Sequence, residues 1–296
     1  MRSLIYNEKI FLIILVVCTL ISMYITTYLT FNSESNSAST YVINTTDSNV
    51  GDYHYIMPED ITAKVWNDIA EKILNVYSTH DSYIIICDKS IIPSTATALS
   101  FIMENLSKPV ILTTSTTFKK TLKMAKNTSI PEVMVYHKGK LIRGVRTITD
   151  PLKGFISPYY PSLTIKNAFQ VPIQDMSLML INPDIIVSIV NVFPGMTAKS
   201  FKKMGGVILD ATTMNIPTST EFVKDLTSII NKGTIVVIVT NNTKVDPKIL
   251  KTGVIFGKDM TITSAYTKLC FLLSNISDKS VIPQIMNQSL RGEITI

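Results

Sequence analysis

Apolar residues follow three spacings along this chain, and each predicts a different kind of element. Between residues 10 and 31 they are nearly continuous: IFLIILVVCTLISMYITTYLTF carries no charge. A helix rises about 1.5 Å per residue, so about 20 such residues cross hydrocarbon. The run Ile10–Phe31 is long enough, and Tyr24 and Tyr28 near its far end suit the interfacial belt. Arg2 and Lys9 precede it; Glu34, Asp47 and Asp52 follow, with no Lys or Arg before Lys64. The positive-inside rule then predicts a cytosolic amino terminus (1–9), a transmembrane anchor (10–31) and a body that is lumenal, extracellular or on a virion surface. A cleaved signal peptide has an apolar core of about 7–15 residues; this run is longer, so a retained single-pass signal-anchor is expected. Residues 32–57 begin rich in Ser, Thr and Asn and read as a solvated stalk.

Beyond residue 58 the other two spacings alternate. Ile61, Val65, Ile69, Ile73 and Val76 recur at helical spacing and predict a helix over 60–77. YIIIC (83–87) and PVILT (109–113) are continuous apolar runs of strand length, as expected of strands buried on both faces of a parallel sheet. Leu99, Ile102, Met103 and Leu106 predict a helix between them. Phe118 to Lys126 predicts a short helix whose Lys119, Lys120, Lys123 and Lys126 form a solvated face. EVMVYH (132–137), Lys138-Gly139 and LIRGV (141–145) predict a hairpin. A crossing with Pro151, Pro158, Pro161 and Pro172 follows. Strands are then expected at IIVSIVNVF (185–193), GVILDAT (206–212) and TIVVIVT (234–240), and helices around Phe222–Ile230 and Tyr266–Leu273. This alternation predicts two α/β domains, 58–165 and 178–296, joined by a linker at 166–177.

Composition narrows the function. With 28 Lys+Arg against 22 Asp+Glu and only 17% charged residues, the chain is too apolar for disorder. It has no basic stripe interleaved with aromatics, so nucleic acid is not an expected partner. Three scattered His give no metal site, and no cofactor motif is present. Cys18 lies in the apolar run; Cys87 and Cys270 are expected as two buried thiols, with one disulfide between them as the alternative. Sequons begin at Asn44, Asn105, Asn127, Asn241, Asn275 and Asn287. Asn105 and Asn287 fall in helical patterns; Asn44, Asn127 and Asn241 are the glycosylation candidates, Asn44 on the stalk.

The blocks ITAKVWNDIAEKILNVYSTHDSYIIIC, TATALSFIMENLSKPVILT, VMVYHKGKLIRGVRT and GFISPYYPSL, then VNVFPGMTA, GVILDAT, GVIFGKDMTITSAYTKLCFLLS and MNQSLRGEIT, resemble in order the asparaginase/glutaminase family of the bacterial-like type I. The resemblance spans residues 58–296. It implies an asparaginase-like two-domain α/β fold, here with a truncated amino-terminal domain and a smaller carboxyl-terminal one. It also implies a homodimer.

The family's catalytic positions carry other residues. Its nucleophilic Thr closes an early strand ending T-G-G-T, a place that the predicted anchor and stalk take here. Its H-G-T-D-T motif corresponds to Cys87-Asp88-Lys89-Ser90-Ile91, so Lys89 stands for the Thr and Ser90 for the Asp. The family Lys after R-G-x-R-T falls at Thr149, and Asn215 matches a pocket Asn or is a turn residue before Pro217. The D-S-S segment is Met57-Pro58-Glu59, and T-G-A-Q is Thr113-Thr114-Ser115-Thr116. Amide hydrolysis needs a nucleophile, a base and oxyanion donors. The expectation is therefore a catalytically inactive, membrane-anchored protein that acts through contacts with an unidentified protein partner. The composition, rich in Ile, Lys, Asn, Ser and Thr, is compatible with a large DNA virus such as a poxvirus. Two alternatives stand beside it: a membrane-anchored amidohydrolase, and a small-ligand binding module using the old pocket.

Overall fold

Two sheets carry the body, and their interior strands are the continuous apolar runs. The computed structural model describes residues 19–23, 38–46, 50–55, 57–58, 61–158, 160–201, 204–242 and 244–295. Strands β1 (Thr40–Asn44), β2 (Tyr53–His54) and β3 (Ser82–Ile86) are followed by a short β4 (Met103–Glu104), by β5 (Val110–Thr113), and by the hairpin β6 (Val133–His137) and β7 (Lys140–Arg143). All but β4 form one six-stranded sheet in the order β2-β1-β3-β5-β6-β7, parallel except for the hairpin. Two small antiparallel pairs come next: β8 (Ile148–Asp150) with β9 (Gly154–Ile156), and β10 (Ser177–Leu178) with β4. A second, four-stranded parallel sheet holds β11 (Val187–Asn191), β12 (Gly206–Asp210), β13 (Ile235–Val239) and β14 (Ile255–Phe256) in chain order.

Helix α1 (Ala63–Asn75) buries Val65, Trp66, Ile69, Ala70 and Ile73, the face its spacing predicts. Helix α2 (Ile92–Ile102) opens with Pro93 in its first turn and is buried nearly all round. The predicted helical run through Met103 and Leu106 stops early. Met103 turns extended, Asn105 takes a left-handed φ of 55°, and the chain pairs as β4 instead. Helix α3 (Phe118–Ala125) is the short basic helix; α4 (Thr220–Asn231) is capped by Ser219. After α5 (Pro247–Leu250), α6 (Ile262–Asn275) is capped by Thr261 and stacks Phe271 on Phe101 of α2 at 5.7 Å; α7 (Ile282–Met286) follows. The run 185–193, expected as a strand, supplies β11 at the sheet edge, with Ile186, Ile189 and Phe193 exposed.

Three expectations about the amino-terminal residues need correction or bounding. Strand β1 lies inside the stretch read as a stalk: it is hydrogen-bonded between β2 and β3, and Tyr41, Val42 and Ile43 are buried. The amino-terminal sheet therefore begins at Thr40, and its early strand is not truncated away. The sequon at Asn44, expected to be exposed, is fully buried in that strand, whereas Asn127 and Asn241 are exposed. Of the run Ile10–Phe31 only residues 19–23 are described, as helix; the rest lies outside the described residues. No helix among the described residues is long and apolar enough to cross a membrane, and the expected transmembrane helix and membrane localisation are corrected on that finding. Met1–Ser39 and Thr40–Ile296 are separate units.

Buried polar groups tie the last residues of the chain into the body. Lys268 on α6 and Glu293 are both fully buried and 2.6 Å apart. Lys268 Nζ also donates to Met286 O at 3.0 Å and to Gln288 O; the Glu293 carboxylate accepts from the amides of Leu290 and Arg291. Arg146, buried after β7, donates to Gly292 O at 2.5 Å, to Asp259 at 2.7 Å and to Thr295. Lys268→Met alone strands a buried carboxylate and is expected to cost about 3–5 kcal/mol in denaturant unfolding, whereas Lys268→Met with Glu293→Leu costs clearly less. Burial would raise the Asp259 carboxyl, but hydrogen bonds from Thr295 and Arg146 outweigh it and hold it below the usual carboxylate range. A depressed folded value stabilises above the unfolded one and is lost as pH falls through the folded one. Asp259→Asn should thus lower the melting temperature at pH 7, with the gap to the parent closing below about pH 4.

Candidate functional site

Parallel sheets place ligands outside the carboxyl ends of their strands, and in the six-stranded sheet those ends are rich in hydroxyls. β1 ends at Asn44, and Thr45 follows directly, 7% exposed. Its amide and its hydroxyl both donate to Ile86 O, each at 2.9 Å. Asn44 pairs with Ile86, which sets Thr45 beside Cys87, and the Cys87 amide donates to Thr113 O at 2.9 Å. Three neighbouring strands thus end in Thr45, Cys87 and Thr113. Asn44 Oδ1 accepts from both the amide and the hydroxyl of Thr46, each at 2.9 Å, and closes the turn after β1. His54, at the end of β2, donates through Nε2 to Thr46 O at 2.6 Å.

The neighbouring groups differ in what they can do. Burial pushes the Cys87 thiol up to about 12, against the hydrogen bond with Thr45, which lowers it, and with a smaller push from Asp88. Cys87 is therefore a neutral thiol near pH 7 and neither a thiolate nucleophile nor a base. Cys87 and Cys270 are both free and buried. Beyond β3, Asp88, Lys89 and Ser90 are exposed on a turn closed by the Ile91 amide on Asp88 O at 3.1 Å, which leads into α2. Beyond β5, Thr113 Oγ1 is hydrogen-bonded to the hydroxyls of Thr117, at 2.8 Å, and Thr121, at 2.7 Å. Thr114 joins Thr116 and Thr117 in the same way, each at 2.9 Å. This wall of threonines stands where the family's T-G-A-Q segment is expected.

Lys89 and Ser90 accordingly share a sheet end with Thr45. Thr149 and Asn215 belong to other elements. Thr149 is exposed on β8 and pairs with Phe155 of β9. Asn215 lies after β12 of the second sheet, where its Oδ1 accepts from Asn242 at 3.0 Å. It lines a cavity of about 300 Å³ with Thr240, Asn242 and Lys244. Among the described residues no group of three or more His, Cys, Asp or Glu could hold a metal.

Thr45 is the residue that sequence reading passed over, as the middle of a sequon on a stalk. The available signal was TYVIN (40–44), a strand-length segment with an apolar centre followed directly by Thr45, ahead of the first helix of an α/β alternation. The 22-residue apolar run just before it masked that segment.

Comparison with known proteins bears on the same residues. A profile described as "Asparaginase, N-terminal" matches residues 34–176, a span that includes β1 and Thr45. L-asparaginase 1 of Escherichia coli K12 is 31% identical over 289 residues, covering 84% of this chain and 85% of its own. The 60 kDa lysophospholipase of Mus musculus is 26% identical over 281 residues, 80% of this chain and 49% of its own. The crystal structure of L-asparaginase I from Vibrio cholerae superposes with a TM-score of 0.77 at 25% identity, over 88% of this chain and all of that one. The expectation of a chain without catalysis is corrected here: relatives 31% identical over most of its length are named L-asparaginase, and the early strand with a threonine at its end is in place.

Proposed function

The chain belongs to the asparaginase family, and from that footing we propose that it hydrolyses a small carboxamide at the carboxyl end of the six-stranded sheet, with Thr45 as the attacking hydroxyl. The observation that carries this is the position of Thr45. It closes the early strand where the family's nucleophile belongs, and the β1–β3 register holds it. In the reaction Thr45 Oγ1 gives up its bond to Ile86 O and attacks the amide carbon. Its proton passes to a base, ammonia leaves, and water then releases the acid from the threonine ester. Lys89, Ser90 and Thr149 stand where the resemblance puts the family's Thr, Asp and Lys, so proton removal falls to another group at this end of the sheet. His54 and Asp88 are the side chains placed to be tested for it.

General acid–base groups contribute about 10²–10⁴-fold, so turnover below that of the family is expected. The assay is ammonia release by the full chain from L-asparagine and L-glutamine, with fatty-acid release from a lysophospholipid ester measured beside it because of the lysophospholipase relatives. Thr45→Ala should abolish release. The combined variant Lys89→Thr, Ser90→Asp should raise it about 100-fold. Release no greater than from heat-inactivated protein on every substrate would sink the proposal.

We further propose that the chain forms a homodimer. Ile165, Val171 and Ile173 on the crossing segment, and Ile186, Ile189 and Phe193 around β11, expose large apolar side chains, more than an isolated surface leaves scattered. Light scattering at micromolar concentration should give twice the chain mass, and Ile189→Asp with Phe193→Asp should shift it toward monomer; a parent that scatters as monomer refutes the dimer.

A further inference from the structure

A cavity of about 330 Å³ lies between the turn of the β6–β7 hairpin and the β8–β9 hairpin. Lys138, Lys140 and Lys153 stand on it, with His137, and none of its lining residues is acidic. Its apolar wall is Ile142, Phe155, Ile156 and the Tyr160 ring. Ser157 also lines it, and the buried hydroxyl of Ser157 has no hydrogen-bond partner among the described residues. Like charges gathered on a wall without a carboxylate repel each other, Asp150 of the neighbouring turn offsetting only part of this at Lys153, and an unpaired buried hydroxyl costs free energy. A bound anion relieves both.

The backbone is bent to hold these groups together. Lys138 has a φ of 47°, in the left-handed region that glycine or asparagine occupies with less strain at such a turn. Gly154 has a φ of +84°, and a Cβ there would lie 2.6 Å from His137 Cε1, so only glycine lets the two hairpins close. His137 Nε2, at 2.9 Å, and Lys138 Nζ, at 3.2 Å, both donate to Lys153 O. The His137 and Phe155 rings meet edge to face at 5.6 Å. Behind the cavity the Arg143 and Arg146 guanidiniums lie over the Tyr160 ring, at 5.0 and 4.8 Å. Each is paired, with Glu132 and Asp259 respectively. Asp150, the carboxylate of the β8–β9 turn, accepts from the amides of Leu152 and Lys153.

We propose that this cavity binds a small organic phosphate, with the phosphoryl group against Lys138, Lys140 and Lys153 and the organic body against Phe155 and Tyr160. A doubly charged head matches three ammonium groups, and the aromatic wall gives the body a face to cover. The site is distinct from the threonine turn. β6 lies three strands from β1 in the sheet, about 14 Å at the usual strand spacing.

Isothermal titration of the full chain at low salt tests this with phenyl phosphate, inorganic phosphate and benzyl alcohol. Phenyl phosphate should bind once per chain, more tightly than either part alone, and more weakly as salt is added. Lys140→Glu and Lys153→Glu should each weaken it by about tenfold or more, the loss of one charge-assisted hydrogen bond. Ser157→Ala should weaken it less. The control pair Lys119→Glu, Lys123→Glu on α3 should leave it unchanged, and circular dichroism checks that each variant folds. No heat at millimolar phenyl phosphate, or equal losses in the α3 control, would overturn the proposal.

Discussion

The grip of two buried cations on the last residues of the chain underlies the arrangement of both sheets. Lys268 comes from the helix that packs on the second sheet, and Arg146 from the turn that leaves the first. Both hold the segment between Met286 and Thr295, one through Met286, Gln288 and Glu293, the other through Gly292, Thr295 and Asp259. Apolar burial is non-directional. It makes the strands and helices associate but does not fix which helix face meets which strand end. Buried charges do, because each must meet a specific partner or remain desolvated without one. A third such pair, Glu132 with Arg143, braces the hairpin of the first sheet, with Nε and Nη2 donating to the two carboxylate oxygens at 2.6 and 2.9 Å.

These clamps explain which sequence blocks carry the family resemblance. LIRGVRT holds Arg143 and Arg146; MNQSLRGEIT holds Glu293 and Thr295 and supplies the carbonyls that Arg146 and Lys268 grip. Gly144 sits where an added Cβ would come within 2.7 Å of the Ser100 hydroxyl, so the turn between the two arginines cannot widen. The exposed turn at Lys89 and Ser90 carries no such constraint, which is why residue types there can depart from the family pattern while the fold around them is kept.

That difference also accounts for what was misread near the amino terminus. TYVIN is short, and it lies between a long apolar run and a loop rich in Ser, Thr, Asn and Asp. It is buried between β2 and β3, and β3 begins only at Ser82, beyond the whole of α1. Local composition therefore pointed to solvent, and an extended strand at the sheet interior was hidden. The same holds for Asn44, which as a sequon residue looks exposed and as the partner of Ile86 is not.

By itself the sequence determined the α/β class, the strands at 83–87, 109–113, 206–212 and 234–240, the faces of α1 and α4, and the hairpin at Lys138-Gly139. Each of these is a matter of spacing, run length or turn chemistry, which are local. Tertiary structure alone decided that residues 40–44 are a strand, that the helix through Leu99 stops at Ile102, and that 185–193 forms an edge. It also brought Thr45, Cys87 and Thr113 into one row. Those outcomes depend on pairing between segments far apart in the chain, and the free energy that selects them does not exist until the partners meet.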